Sequence, residues 1–145
     1  MNPLQKKLLE IARQLIGIPY KYAAKPEDIP NFLDCSSFTQ YIYKQIGIEI
    51  PRSTLLQAAQ AGIEIQLPIT NYQLLMPGDL LFFRGTKGHY DDELFPKKEV
   101  YIGHVAMNTE NNYAIHASSP NGVKEESIDE IIKTRGPIVL IKRRI

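Results

Sequence analysis

The apolar residues of this chain change period once, and that change limits what it can fold into. Up to about Pro68 they recur every three to four positions, whereas beyond Met76 they come in short runs and alternations, so helices precede strands. Leu4, Leu8, Leu9, Ile11, Ala12, Leu15 and Ile16 form a helical stripe that Gly17 and Pro19 close, which predicts a helix from about Pro3 to Ile16. A second stripe of Phe38, Tyr41, Ile42 and Ile46 begins at Cys35, behind the good N-cap Asp34, and stops at Gly47. Thr54-Leu55-Leu56-Gln57 has the form of a capping box and opens a short third helix ending at Gly62.

In the second half, Met76-Pro77-Gly78-Asp79 is a turn signal and Leu80-Leu81-Phe82-Phe83 suits a buried strand. Further strands are expected over Val100 to Asn108, Tyr113 to Ser118, Gly122 to Glu126 and Pro137 to Arg143, with a helical turn around Ser127 to Lys133. Glu110-Asn111-Asn112 joins two of them as a hairpin. Arg84 to Glu99 has no period and looks like an inserted loop. With 145 residues, 43% of them hydrophobic and without internal repeats, the chain is expected to form one α+β domain over 1–145 with a single core and an antiparallel sheet.

Seventeen Lys and Arg against sixteen Asp and Glu leave a net charge of +1, so no global field recommends a nucleic-acid or membrane-surface partner. Lys142-Arg143-Arg144 reads as a solvated strand end. No stretch approaches the roughly 18 to 20 consecutive apolar residues of a membrane helix, so no membrane insertion is expected. The N-terminus meets charged residues too soon for a signal-peptide core. That leaves cytoplasmic residence, export by another route, or a shortened chain all open.

Cys35 is the only cysteine, so it is either a buried small hydrophobe or a reactive thiol. A thiol in the first turn of a helix feels unsatisfied N–H groups and the positive end of the helix dipole, which favour the thiolate. To act as a nucleophile it requires a histidine within reach. His104 and His116 stand on adjacent expected strands, and their midpoint, residue 110, lies in the hairpin turn. They therefore pair to within a register step, with His104 as base and His116 orienting it. His89, in the inserted loop, is read as a surface residue outside the site. On these residues alone a chance triple is as good a reading as a catalytic one.

The motifs around them resemble the NlpC-type cell-wall cysteine peptidases, a bacterial branch of the papain-like superfamily. Gly17-Ile18-Pro19-Tyr20, Asp34-Cys35-Ser36-Ser37-Phe38, Pro51-Arg52-Ser53, Pro77-Gly78-Asp79-Leu80, His104-Val105-Ala106 and His116-Ala117-Ser118 follow the family's order across nearly the whole chain. The resemblance implies a papain-like core with N-terminal helices packed on a C-terminal sheet. It implies Cys35 as nucleophile, His104 as general base, His116 as the third residue, and Tyr20 beside the nucleophile as an oxyanion donor. Asp34 and Ser36 would face the substrate and bind the free amine of a stem peptide, and Arg52 would contact a carboxylate or pair with a surface acid.

The implied substrate is a peptidoglycan stem peptide or muropeptide, cut at the γ-D-glutamyl–diamino acid amide bond. Neither a cofactor nor a metal is called for, because one Cys with three His makes no zinc pattern. Two other functions use the same residues: a related amidase or acyltransferase, and a silent module that binds wall fragments. The sequence departs from the family pattern at Ser37, Ala23-Ala24 and Ala106, each where glycine is frequent, and in the insertion Arg84 to Glu99, expected to form a rim or lid.

Overall fold

A computed structural model describes residues 1–145 except Thr70, Lys87, Asp92, Lys97 and Lys98. Its helices are α1 (Pro3–Gln14), α2 (Cys35–Gln45), α3 (Thr54–Gln60) and α4 (Ile128–Arg135). Its strands are β1 (Ile63–Glu64), β2 (Leu80–Phe83), β3 (His104–Asn108), β4 (Tyr113–Ser118), β5 (Gly122–Ser127) and β6 (Ile138–Arg143). The strands form one antiparallel sheet in the order β1-β6-β2-β3-β4-β5.

Alternation along the strands divides the core between the two faces of the sheet. Leu80 and Phe82 of β2, Val105 and Met107 of β3 and Ile115 of β4 face a core shared with Leu8 of α1 and Phe38, Ile42 and Tyr43 of α2. Leu81, Phe83, Ala106, Ala114 and Ile141 face the other way, against Ile128 and Ile131 of α4. Because β2 is covered on both sides, its sequence is an unbroken apolar run. α2 lies across β3 and β4, which brings its N-terminus to the strand that carries His104.

Several elements differ from the sequence reading. β3 starts at His104 rather than Val100, because Ile102 is engaged in a bridge with His89 and the backbone at Gly103 crosses Arg84 and Gly85 closely. A Cβ at Gly103 would lie 2.9 Å from the Arg84 carbonyl oxygen, so a side chain here would push the loop from the strand. The third helix is capped by Ser53, whose hydroxyl accepts from the Leu56 N–H, and Thr54 is its first helical residue. Gln57 closes no capping box. It is buried and ties α3 to α2, donating to the Ser36 and Pro51 carbonyls and accepting from the Thr39 hydroxyl at 2.7 Å.

The basic triplet is a solvated strand end only at Arg144. Lys142 is buried, and Arg143 donates to both oxygens of the fully buried Asp79 at 2.9 and 2.8 Å. That pair, with the Asp79 bond from the Met76 N–H, gives the Pro-Gly-Asp turn its structural role. β1 escaped the sequence reading because its two residues are exposed and carry no pattern.

Candidate active site

The head of α2 is built by a reciprocal cap. The Asp34 carboxylate accepts from the Ser37 N–H at 2.8 Å while the Ser37 hydroxyl accepts from the Asp34 N–H at 2.9 Å. Ser37, where glycine is common in the resembling family, thus completes the cap. The other Asp34 oxygen accepts from Arg52 at 2.8 Å and from the Ala24 N–H at 3.0 Å. Burial pushes the Asp34 carboxyl up, but the Arg52 guanidinium and the Ser37 N–H more than offset this and hold it below the usual range.

Arg52 is engaged in this local structure. Besides Asp34 it donates to the Ser36 hydroxyl at 2.8 Å and the Ala24 carbonyl at 2.7 Å, and Ser36 donates in turn to Asp34. Its acid is therefore the cleft residue Asp34, not a surface one.

Tyr20 reaches the helix head through backbone pairing. Lys21 N–H donates to the Leu33 carbonyl and Leu33 N–H to the Pro19 carbonyl, so residue 20 lies alongside the segment leading into Cys35. The loop can approach β5 this closely because residue 122 is glycine: a Cβ there would collide with the Ile18 carbonyl oxygen. Burial, then the negative charges of Cys35 and Asp34, push the Tyr20 hydroxyl up, which keeps it a proton donor.

Cys35 itself is half-buried, and its sulfur lies 3.5 Å from the Thr54 hydroxyl. Burial pushes the thiol up. Thr54 and the N–H groups of Val105 and Ser36 oppose this, while Asp34 adds to it. The lowered thiol expected from the helix terminus is therefore reversed, since loss of water outweighs the donors gathered there.

His104 and His116 are both buried, and His104 Nε2 lies 2.7 Å from His116 Nδ1. Their register differs from the expected one: Met107 faces Ile115 and Asn108 faces Ala114, which centres the hairpin on residue 111. The two histidines are then diagonal neighbours on one face, close enough for their rings to meet edge to face at 5.0 Å. Burial, with the charges of His116 and Arg135, drives His104 well below the ordinary imidazole range. His116 is lowered by burial and by Lys124 and Arg135, against the pull of Glu126. Glu126 Oε2 lies 2.6 Å from His116 Nε2.

Tyr20, Asp34, Cys35, Ser36 and Arg52 line one cleft of about 770 Å³, together with Ala23 and Thr54. The opposite wall includes Ile102 and Gly103, the two residues before His104, and His89, Tyr90 and Asp91 of the inserted loop. The rim role expected for Arg84 to Glu99 is met by these three, while Lys87, Asp92, Lys97 and Lys98 lie outside the described residues. His89 is exposed, as the sequence reading had it, and it also borders the cleft. Among the described residues the thiol's hydrogen-bond partner is Thr54, and no hydrogen bond joins it to His104. The Val105 N–H that acts on the thiol belongs to the residue next to His104.

Sequence reasoning missed Thr54 and Glu126, and it did not bring the exposed His89 to the edge of the cleft. Glu126 had a signal: centring the β4–β5 hairpin on Pro120 sets His116 opposite Lys124 and puts Glu126 on its diagonal.

The NlpC/P60 family model matches residues 17–136. A probable endopeptidase, Cgl2188, of Corynebacterium glutamicum is 32% identical over 122 residues, 84% of this chain and 47% of its own. A gamma-D-glutamyl-L-lysine dipeptidyl-peptidase of Bacillus cereus is 32% identical over 117 residues, covering 80% of this chain and 29% of its own. The chain spans about half the length of the C. glutamicum protein and of similar curated relatives. Among solved structures, the NlpC/p60 domain of the peptidoglycan hydrolase SagA superposes with a TM-score of 0.69 at 28% identity, covering 99% of both chains. An NlpC/P60 protein of Bacillus cereus gives 0.72 at 26%, over 99% of this chain and 41% of its own. The family match over most of the chain and the shared architecture lead to one assignment: this protein belongs to the NlpC/P60 family.

Proposed function

We propose that the protein is a cysteine peptidase that hydrolyses peptidoglycan stem peptides at the amide bond between the γ-carboxyl of D-glutamate and a diamino acid. One observation carries this reading. A thiol at a helix head opens onto a cleft lined also by Ile102 and Gly103, the residues that lead into the strand of His104, which is hydrogen-bonded to His116 on the next strand. The B. cereus relative named for the γ-D-glutamyl-L-lysine bond supports the choice of linkage.

In this mechanism substrate displaces water from the cleft and the thiol turns from Thr54 to the free Nδ1 of His104. His104 takes the proton and the Cys35 sulfur attacks the carbonyl carbon. The oxyanion accepts from the Cys35 N–H and the Tyr20 hydroxyl; losing one such donor typically costs about 3 kcal/mol of barrier lowering. Collapse breaks the C–N bond, and the leaving amine takes the proton from His104. Water then gives a proton to His104 and attacks the thioester, which releases the γ-carboxylic acid and restores the thiol. Asp34 and Ser36 receive the free amine of the stem peptide, and Arg52 holds that pair in place.

Digestion of defined muropeptides with wild type and Cys35→Ala, followed by mass spectrometry, tests the reading. The expected products are fragments split after D-glutamate in the wild type alone. Cleavage of a different amide would make the protein a related amidase. No turnover, with fragments still bound, would make it a binding module.

A further inference from the structure

We propose that Glu126 is a positioning residue that sets which nitrogen of His104 acts as the base. Three neighbouring strands each contribute one residue to a diagonal row: His104 from β3, His116 from β4 and Glu126 from β5. The contacts along it are 2.7 Å from His104 Nε2 to His116 Nδ1 and 2.6 Å from His116 Nε2 to Glu126 Oε2. Both rings are almost wholly shielded from water, at 3% and 1% exposure, so water offers their contacting nitrogens no substitute partner.

In such a row the proton positions are linked. Each contact between two nitrogens, or between nitrogen and oxygen, needs one donor and one acceptor. A carboxylate only accepts, so an ionised Glu126 requires the proton of His116 on Nε2. His116 Nδ1 is then a lone pair, and it requires the proton of His104 on Nε2. The lone pair of neutral His104 is thereby fixed on Nδ1, the only nitrogen left to take a proton from a thiol. The reverse polarity requires a protonated Glu126 carboxyl. Lys124, 3.2 Å from the same Glu126 oxygen, opposes that by stabilising the anion.

The charged and titratable groups acting on the row are His104, His116, Glu126, Lys124 and Arg135. Of these, Glu126 is the acceptor hydrogen-bonded at the row's outer end. When His104 becomes an imidazolium during turnover, its Nε2–H bond to His116 strengthens, and the Glu126 charge is relayed toward it through the polarised His116 ring.

This inference rests on the peptidase reading for its catalytic consequence, but its tautomer statement does not. Long-range ¹H–¹⁵N correlation spectra of histidine-labelled protein between pH 6 and 9 read the tautomers without any substrate. The expected result is Nε2–H for both His104 and His116 in the wild type, and a mixture at His104 in Glu126→Ala. On a muropeptide, Glu126→Ala should lose roughly 10- to 100-fold in kcat with KM within about twofold, by analogy with other residues that orient a ligating or catalytic imidazole. Glu126→Gln keeps the shape and one acceptor oxygen, so its kcat should fall between the two. If Glu126→Ala does not fold, the Gln variant carries the same comparison.

A wild-type His104 protonated on Nδ1 overturns the proposal. So does a Glu126→Ala protein with unchanged tautomers and unchanged kcat. If the tautomers are as stated but the wild type cuts no muropeptide, the proton arrangement stands and only the peptidase reading falls.

Discussion

Arg52 donates to the Asp34 carboxylate at 2.8 Å, and the same carboxylate caps the helix that starts with Cys35. One ion pair therefore holds both the floor of the cleft and the orientation of the thiol-bearing turn.

Removing the cation leaves a buried carboxylate without its charged partner. Arg52→Ala should destabilise the protein by roughly 2 kcal/mol, a value between exposed and buried pairs because the Arg52 side chain is 37% accessible. Urea denaturation measures this. Arg52→Lys, which keeps the charge but not the planar fork, should recover less than half of the loss; full recovery would show that the Ser36 and Ala24 contacts do not matter.

The buried groups dictate how stability responds to acid. His104 and His116 have folded values below their unfolded value of about 6.5, so below that pH the unfolded chain binds more protons and stability declines. Above it both states are neutral and the histidines contribute no slope. Asp34 and Glu126 are also held low, so their contribution is present above about pH 4 and is lost as the pH falls through their folded values. Melting temperature should thus be flat from about pH 7 to 8, fall below about 6.5 and fall again below about 4. A maximum near pH 5 would contradict the buried neutral pair.

The Thr54 hydroxyl offsets part of the burial that suppresses the Cys35 thiolate. Thr54→Val is nearly the same size and should slow alkylation of Cys35 by iodoacetamide at neutral pH roughly fivefold, corresponding to about 1 kcal/mol. An unchanged or faster rate would mean that the contact does not support the charged sulfur.

Ala23 adopts a left-handed backbone with φ of 52°, in the stretch where the resembling family prefers glycine. A Cβ in that conformation costs about 1 kcal/mol. Ala23→Gly should therefore raise the melting temperature by about 3 °C, a shift that scanning calorimetry resolves. A lower melting temperature would mean that the methyl group makes cleft contacts worth more than the strain.

Much of this architecture was legible because local signals coincided with tertiary ones. The helix beginning at Cys35 announced itself through Asp34 and its apolar stripe, and the strand Tyr113–Ser118 was read with its observed limits. What failed was information held between segments. Gln57 matched a capping pattern locally, yet its amide is used across two helices. Arg143 looked like a surface charge because its partner, Asp79, lies 64 positions away. The histidine pairing survived a shifted register because a two-residue diagonal keeps side chains on one face. Glu126 demanded a second register, on top of the first, before it came into view.

The sheet order has a consequence for how the domain is made. β6 is the last strand in sequence, yet it sits between β1 and β2. During synthesis β2 through β5 can assemble as they leave the ribosome. The apolar edge of Leu80–Phe83 then waits, its N–H and C=O groups unpaired, until residues 138–143 emerge to cover it. For that interval the nascent domain is a template for unwanted strand pairing, and chaperone dependence should be sought in that window rather than in the helical half.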